Sequence, residues 1–259
     1  MLTPERRKRI LTYIEEHGAA DVATLARLLG ASESTVRRDL TALASQGQLH
    51  KFHGGAAPVE KAFSNREDSV SVKVTRCYEE KLRIARYAAT LVNDDDFVFL
   101  DAGSTTFLMT RFLKGNGATF VTNGMPQAVA LAEAGCHVMI LGGDLKSSTE
   151  AVVGGVAAQH LQRYNFSKAF IGANGITNKE GFTTPETGEA TVKAIAMERS
   201  FASFVLADHT KFGRIAAMRV APLNAACVIC DSCPEEIRRA TVVKEVTEDG
   251  IHDHTESGA

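Results

Sequence analysis

Apolar side chains recur at helical spacing three times within the first 45 residues. Thr3-Pro4 pairs a cap with a proline in the first helical position, and Ile10, Leu11 and Ile14 then share a face until His17-Gly18 ends the run. Asp21 caps a second helix that sets Leu25, Leu28 and Leu29 on one side and stops at Gly30. Ser32 opens a third, which turns Val36, Leu40 and Leu43 inward and leaves Glu33, Ser34, Thr35, Arg37, Arg38 and Thr41 mostly outward. Residues 48–56 then alternate as a short hairpin that closes on Gly54-Gly55. Beyond residue 76 the period changes. Helical stretches alternate with apolar runs at 97–100, 119–121, 137–141, 168–171, 203–207 and 227–230, which predicts an α/β domain with mostly parallel strands.

The spacing in the first segment is that of a helix-turn-helix. Small Ala26 lets two helices cross closely, Gly30 supplies the turn, and Val36 plugs the angle between them. Ser32, Ser34 and Thr35 sit where helix-terminal amides favour phosphate, Arg37 and Arg38 reach base edges or phosphates, and Thr41, Lys51 and His53 extend that face onto a wing. The alternative is a helical protein-docking module with a solvated arginine pair. Turn, cap and basic helix agree on double-stranded DNA.

Charge separates the segments. Residues 1–56 carry eight basic and six acidic side chains, a net of +2, and residues 241–259 carry one basic and five acidic, a net of −4. The first segment alone favours a polyanion. The expected organisation is a winged helix-turn-helix over 3–57, a linker over 58–76 that contains Pro58 and lacks periodicity, an α/β domain over 77–240 and an acidic tail over 241–259. No run approaches the ~18 apolar residues of a spanning helix, and the first residues lack a secretion signal, so a cytoplasmic protein without a membrane partner is expected.

Candidate chemistry in the α/β domain lies after the strands. Asp101-Ala102-Gly103-Ser104-Thr105-Thr106 places small and hydroxyl residues at a strand-to-helix turn, where amides can approach an anion. Thr122-Asn123, Gly142-Gly143 and Gly172-Ala173-Asn174-Gly175 repeat the theme, and the C-terminal ends of parallel strands meet in one crevice. Asp208 and Lys211 add a partner for sugar hydroxyls and a point charge for phosphate; an ion pair between them is the structural alternative. Each loop taken alone is also ordinary turn chemistry. Neither Gly-x-x-x-x-Gly-Lys-Ser/Thr nor Gly-x-Gly-x-x-Gly occurs, so nucleotide binding by either route is unsupported and no resident cofactor is expected.

Ser34-Thr35-Val36-Arg37-Arg38-Asp39-Leu40, followed by Lys51-Phe52-His53-Gly54-Gly55-Ala56, closely resembles the DeoR family of bacterial sugar-metabolism regulators. Residues 101–106, Thr122-Asn123, Gly142-Gly143, Phe170-Ile171-Gly172 and residues 207–213 are similar to that family's sensor domain, whose fold is similar to ribose-5-phosphate isomerase. Lys51 departs from the arginine more usual in the family, which trades a bidentate contact for a point charge. The resemblance implies a repressor of a sugar-utilisation operon, modulated by a phosphorylated sugar held at Lys81, Asp101, Gly103, Ser104, Thr105, Thr106, Thr122, Asn123, Gly142, Gly143, Asp208 and Lys211. It also implies that Arg66 in the linker and Lys81 transmit the signal. Thr183-Thr184-Pro185-Glu186 looks like the branch tied to ketose phosphates such as fructose 1-phosphate. A homodimer or homotetramer is expected, because one small head contacts few bases.

A sugar-phosphate isomerase fused to a DNA-binding head is the competing reading. Enediol chemistry needs a carboxylate base, and the loop that carries aspartates in the isomerase has Asn174 and Gly175 here. Glu186 and Glu189 remain as candidate bases, and no catalytic residue is assigned. Cys227-x-x-Cys230-x-x-Cys233 has metal-like spacing, but residues three apart on a strand point to opposite faces, so buried thiols and no metal are expected. His252-Asp253-His254 is read as part of the acidic tail.

Overall fold

In the unit Met1–Ala62, the expected caps and apolar stripes form α1 (Thr3–His17), β1 (Ala20–Asp21), α2 (Val22–Leu29), α3 (Glu33–Ser45), β2 (Leu49–Phe52) and β3 (Gly55–Pro58). The computed structural model describes residues 3–17, 20–45, 48–52, 54–58, 70–115 and 117–254. Asp21 caps α2 through the Thr24 amide at 2.6 Å, and Gly30 ends it at φ 59°, a left-handed conformation that suits a residue without a Cβ. Ile10, Ile14, Leu25, Val36, Leu40 and Leu43 fill the space between the helices, each contributing about 2 kcal/mol of transfer free energy. The strands pair antiparallel in the order β1-β3-β2, which makes the wing. Gly55 is required by close approach, for a Cβ there would lie 2.4 Å from the Ala20 carbonyl oxygen.

One tie in this unit is invisible to periodicity. Asp39 lies on the buried side of α3 and accepts from Arg6 Nε at 2.6 Å and Arg7 Nε at 3.0 Å, both on α1. Burial raises the Asp39 carboxyl, and the two guanidiniums overcome that and hold it below the ordinary carboxylate value. A depressed native pKa stabilises the fold above the unfolded pKa, and that contribution is lost as pH falls through the folded one. Asp39→Ala is expected to cost about 2 kcal/mol at neutral pH. Chemical unfolding of the full chain should show the gap from the parent closing in acid.

The unit Phe63–Ala259 contains α4 (Val70–Thr75), α5 (Tyr78–Thr90), β4 (Phe97–Leu100), α6 (Ser104–Met109), β5 (Thr119–Thr122), α7 (Met125–Glu133), β6 (His137–Ile140), β7 (Asp144–Lys146), β8 (Ala151–Val153), α8 (Gly155–Leu161) and β9 (Phe166–Gly172). It continues through β10 (Gly175–Thr177), β11 (Gly181–Thr184), α9 (Thr187–Glu198), β12 (Ser200–Ala207), β13 (Met218–Ala221), β14 (Cys227–Cys230), α10 (Glu235–Arg238), β15 (Val243–Val246) and β16 (Ile251–His254). An eight-stranded sheet runs β16-β15-β14-β12-β9-β4-β5-β6, parallel throughout except for β16. Alternate side chains feed two cores. Phe99, Ile171, Val205 and Val228 face α8, α9 and α10, while Leu100, Phe170, Leu206 and Ile229 face α5 and α6.

All six apolar runs are strands, and two boundaries need correction. Residues 241–259 are not an acidic tail as far as they are described. Val243–Val246 pairs parallel with β14 and Ile251–His254 closes the sheet, with Glu245 neutralised by Arg238 at 2.7 Å and Asp253 by Lys244 at 2.8 Å. Paired charge, and not tail-like repulsion, explains the acidic composition. Within 58–76, Pro58 belongs to β3 and residues 70–75 form α4; the valines of Val-Ser-Val-Lys-Val-Thr are β-branched and gave no helical signal. Arg66 lies outside the described residues. Residues 175–177, 181–184 and 218–221 form a separate antiparallel sheet, β10-β11-β13, that periodicity did not anticipate.

Candidate functional site

α3 presents the expected polar face. Ser32, Ser34, Arg37, Arg38 and Thr41 are exposed and Thr35 is half-buried. The Ser32 hydroxyl lies 2.9 Å from that of Thr35 and 3.0 Å from that of Ser34, and accepts from the Thr35 amide at 3.3 Å, so it caps the helix. Arg37 reaches Glu33 at 2.8 Å, an exposed pair worth under about 1 kcal/mol that a stronger acceptor can displace. Lys51 of the wing donates to Thr41 Oγ1 at 2.7 Å, which in turn donates to the Arg37 carbonyl at 2.8 Å, so helix and wing present one continuous polar surface. His53 lies outside the described residues.

In the second unit the sheet reverses direction of growth between β4 and β9. From β4 the chain proceeds outward through β5 and β6, and from β9 outward through β12, β14 and β15. Such a switch point opens a crevice at the carboxyl ends of the strands. An open cleft of about 540 Å³ lies there, lined by Gly103, Ser104 and Thr105 after β4, Gly172, Ala173 and Asn174 after β9, Lys211 after β12, Glu189 and Lys193 of α9, and Lys73 of α4, with Thr149 at its wall.

Three ammonium groups and one carboxylate face this space. Lys193 pairs with buried Asp101, whose carboxylate also accepts from the Gly172 amide at 2.8 Å. Asp101 thus bolts the β4 and β9 loops to α9. Lys211 and Lys81 flank Asp208 at 3.8 and 3.7 Å, and although burial pushes the Asp208 carboxyl up, the two lysines and Thr210 hold it below its ordinary value. Lys81 is fully buried behind the cleft and donates to the Lys73 carbonyl, which docks α4. Burial pushes the Lys73 ammonium down to about 8, opposed by Glu189 and reinforced by Lys193, Lys211 and Lys146.

The cleft is a poor place for proton abstraction. Burial raises the Glu189 carboxyl, but Lys193, Lys146 and Thr149 bring it down to about 2. Its oxygens already accept from Lys146 at 2.8 Å, Thr149 at 2.9 Å and Thr184 at 3.2 Å. Glu186 is ion-paired with Lys146 at 3.0 Å, and the Asn174 side-chain amide is no base.

The remaining expected ligand residues stand behind the cleft or away from it. Thr106 accepts from the Gly103 amide at 2.9 Å and donates to the Asp101 carbonyl at 2.6 Å. Asn123 accepts from the Ala102 amide at 3.0 Å, Thr122 donates to the Leu100 carbonyl at 2.6 Å, and Gln127 donates to the Gly103 carbonyl at 3.0 Å. These residues shape the 101–106 turn without lining the cleft. Gly142 and Gly143 pack against His160 and Val153 instead. The reason is topological, since β5 and β6 lie on the far side of the switch point. Periodicity missed Lys73, Lys193 and Thr149; the four-residue spacing of Glu189 and Lys193 on α9 was a signal that could have found the second of these.

Cys227 and Cys230 fall on opposite faces of β14, as strand geometry requires. Cys233 lies beyond the strand end, free of that alternation, and returns to Cys230 and Glu245. No helix of the described residues is long and apolar enough to cross a membrane.

Two family profiles cover the chain. The DeoR-like helix-turn-helix domain matches residues 6–62, and the DeoR C terminal sensor domain matches residues 76–232. The chain is 38% identical to the Bacillus subtilis protein described as an uncharacterized HTH-type transcriptional regulator FruR, over 95% of this chain and 99% of that one. It is 34% identical to the HTH-type transcriptional regulator GlpR of Haloferax volcanii over 86% and 88% of the two chains. It is 33% identical to a lactose phosphotransferase system repressor of Staphylococcus aureus over 92% and 95%. Ribose 5-phosphate isomerase A of Methanocaldococcus jannaschii shares 20% identity over 52% of this chain and 54% of its own, with a TM-score of 0.39, and nothing about chemistry follows from that. With a helix-turn-helix head, a sensor domain on a mostly parallel sheet and relatives that match both from end to end, the chain belongs to the DeoR family and is a DNA-binding transcriptional regulator.

Proposed function

We propose that the protein represses a sugar-utilisation operon and is released by a phosphorylated sugar held in the cleft at the β4/β9 switch point. The observation that carries this reading is the convergence of Lys73, Lys193 and Lys211 on the hydroxyls of Ser104 and Thr105. Crowded ammonium groups, one already pushed down to about 8, favour an incoming dianion. Asn174 and Glu189 offer partners for sugar hydroxyls. One relative is named a lactose phosphotransferase system repressor, and a ketose phosphate such as fructose 1-phosphate, suggested by Thr183-Thr184-Pro185-Glu186, is the first ligand to test. Ligand charge at Lys73 acts on α4, the first described element that follows the head in sequence, and α4 is the element through which the signal leaves the cleft in this reading. Paired heads on repeated half-sites then gain or lose joint engagement.

The test is thermal unfolding of the full chain against a panel of sugar phosphates, each beside its unphosphorylated sugar. One phosphate ester, at about 100 times its Kd, should stabilise by about 2.7 kcal/mol, and the free sugar should not. Silence across the panel overturns the reading. The affinity should also fall as pH rises through about 8, because Lys73 loses its proton there. Lys73→Arg, which stays charged, should flatten that dependence. An unaltered pH profile would remove Lys73 from the site.

A further inference from the structure

Cys230 is the last residue of β14, and Glu245 is its direct partner in the parallel register with β15. Partners in register point to the same face of the sheet, so thiol and carboxylate stand side by side. After the turn at Asp231-Ser232, Cys233 brings a second sulfur to the same point. The two Sγ atoms and a Glu245 oxygen lie within 4.8 Å of one another, and all three residues are buried. A fourth group completes the charge pattern, for Arg238 donates to Glu245 Oε1 from Nη2 at 2.7 Å and from Nε at 3.1 Å.

Two buried thiols beside a buried carboxylate contribute little as a core. Their weak donors leave the sulfurs poorly satisfied: the two thiols share a hydrogen bond with each other, and Cys233 reaches the Pro234 carbonyl at a long 3.5 Å. The same three groups are a soft donor set with the two-residue gap that chelating cysteine pairs use. Charge also closes. Two thiolates and a carboxylate carry −3, a divalent ion brings +2, and the guanidinium of Arg238 supplies the remainder. Arg238 therefore acts as the outer partner that orients the carboxylate.

We infer that Cys230, Cys233 and Glu245 bind a thiophilic divalent cation of the zinc class, with water completing the tetrahedron. On binding, each thiol releases one proton to solvent as its sulfur–metal bond forms, and no electron moves. All three ligands are buried, so the ion would sit inside the fold. The ion clamps the 231–234 turn to β15, and that turn carries Asp231, which accepts from the His209 amide at 2.7 Å and holds the His209 ring at 2.6 Å, next to Asp208.

The test is titration of the reduced full chain with cobalt(II), followed by zinc(II). The expected result is a thiolate-to-cobalt charge-transfer band with tetrahedral d–d absorption, saturating at one ion per chain and bleached by zinc, with a rise in Tm and acidification of a weakly buffered solution. Cys233→Ser should abolish the band, while Cys227→Ser and the double variant His252→Asn/His254→Asn should keep it. Absence of the band in the unaltered protein overturns the inference without reference to any variant. So does a band that survives Cys233→Ser, or one that disappears only with the two histidines.

Discussion

Lys193→Ala is expected to lower the stability of the α/β unit by about 3–5 kcal/mol, the cost of stranding a buried carboxylate without its counter-ion. The carboxylate is that of Asp101, 1% exposed, whose other partner is the Gly172 amide at 2.8 Å. A single amide does not balance a full charge in that setting. The denaturation midpoint should fall at unchanged slope, since the folded surface is otherwise kept. The double variant Asp101→Asn/Lys193→Met should recover most of the loss, because neither charge is then stranded. It should nevertheless fail to respond to any sugar phosphate, for an ammonium of the cleft is gone. A double variant that regains both stability and response would show that Lys193 is only half of a structural pair.

Arg38→Ala is expected to weaken DNA binding by about 1–3 kcal/mol, roughly 5- to 150-fold, the usual cost of one arginine contact to a base edge. Arg38 is exposed on α3 and has no side-chain partner among the described residues, so the loss cannot be charged to the fold. A duplex selected by the unaltered protein from a random-sequence pool supplies the probe. If Arg38 reads a base, discrimination relaxes at one position; if it holds a phosphate, affinity falls evenly and the salt slope drops by about 1. Arg37→Ala should behave similarly, with less than about 1 kcal/mol offset by release of the exposed Glu33 pair. Unchanged affinity and unchanged slope in both variants would remove α3 from the interface.

The head was legible almost residue by residue because its determinants are local. A cap at Asp21, a left-handed Gly30 and apolar positions on one face of α3 each act within a few residues of where they stand. The same holds for the six apolar runs of the main sheet, five of them in strands with buried cores and the sixth at the edge strand β6, where Ile140 is exposed. Lower legibility begins where pairing is non-local. β16 hides in an acidic stretch because Lys244 neutralises Asp253 across the strands, and α4 hides in valines whose helical state depends on docking, with Lys81 holding the Lys73 carbonyl.

The cleft divides along the same line. Sequence by itself determined the chemistry available after the strands: small residues and hydroxyls at 103–105, an acid at 101, and an acid and a lysine at 208 and 211. It could not rank the loops, since turn residues after β5 and β6 look like those after β4 and β9. Only strand order decided that. The switch point lies between β4 and β9, so the loops that follow β4, β9 and β12 meet, while Thr122 and Asn123 brace the turn from behind and Gly142-Gly143 falls away. Lys73 and Lys193, more than a hundred residues apart, become neighbours only through the fold. Local steric rules are written in adjacent residues, whereas a field of converging charges exists only once distant segments are brought together.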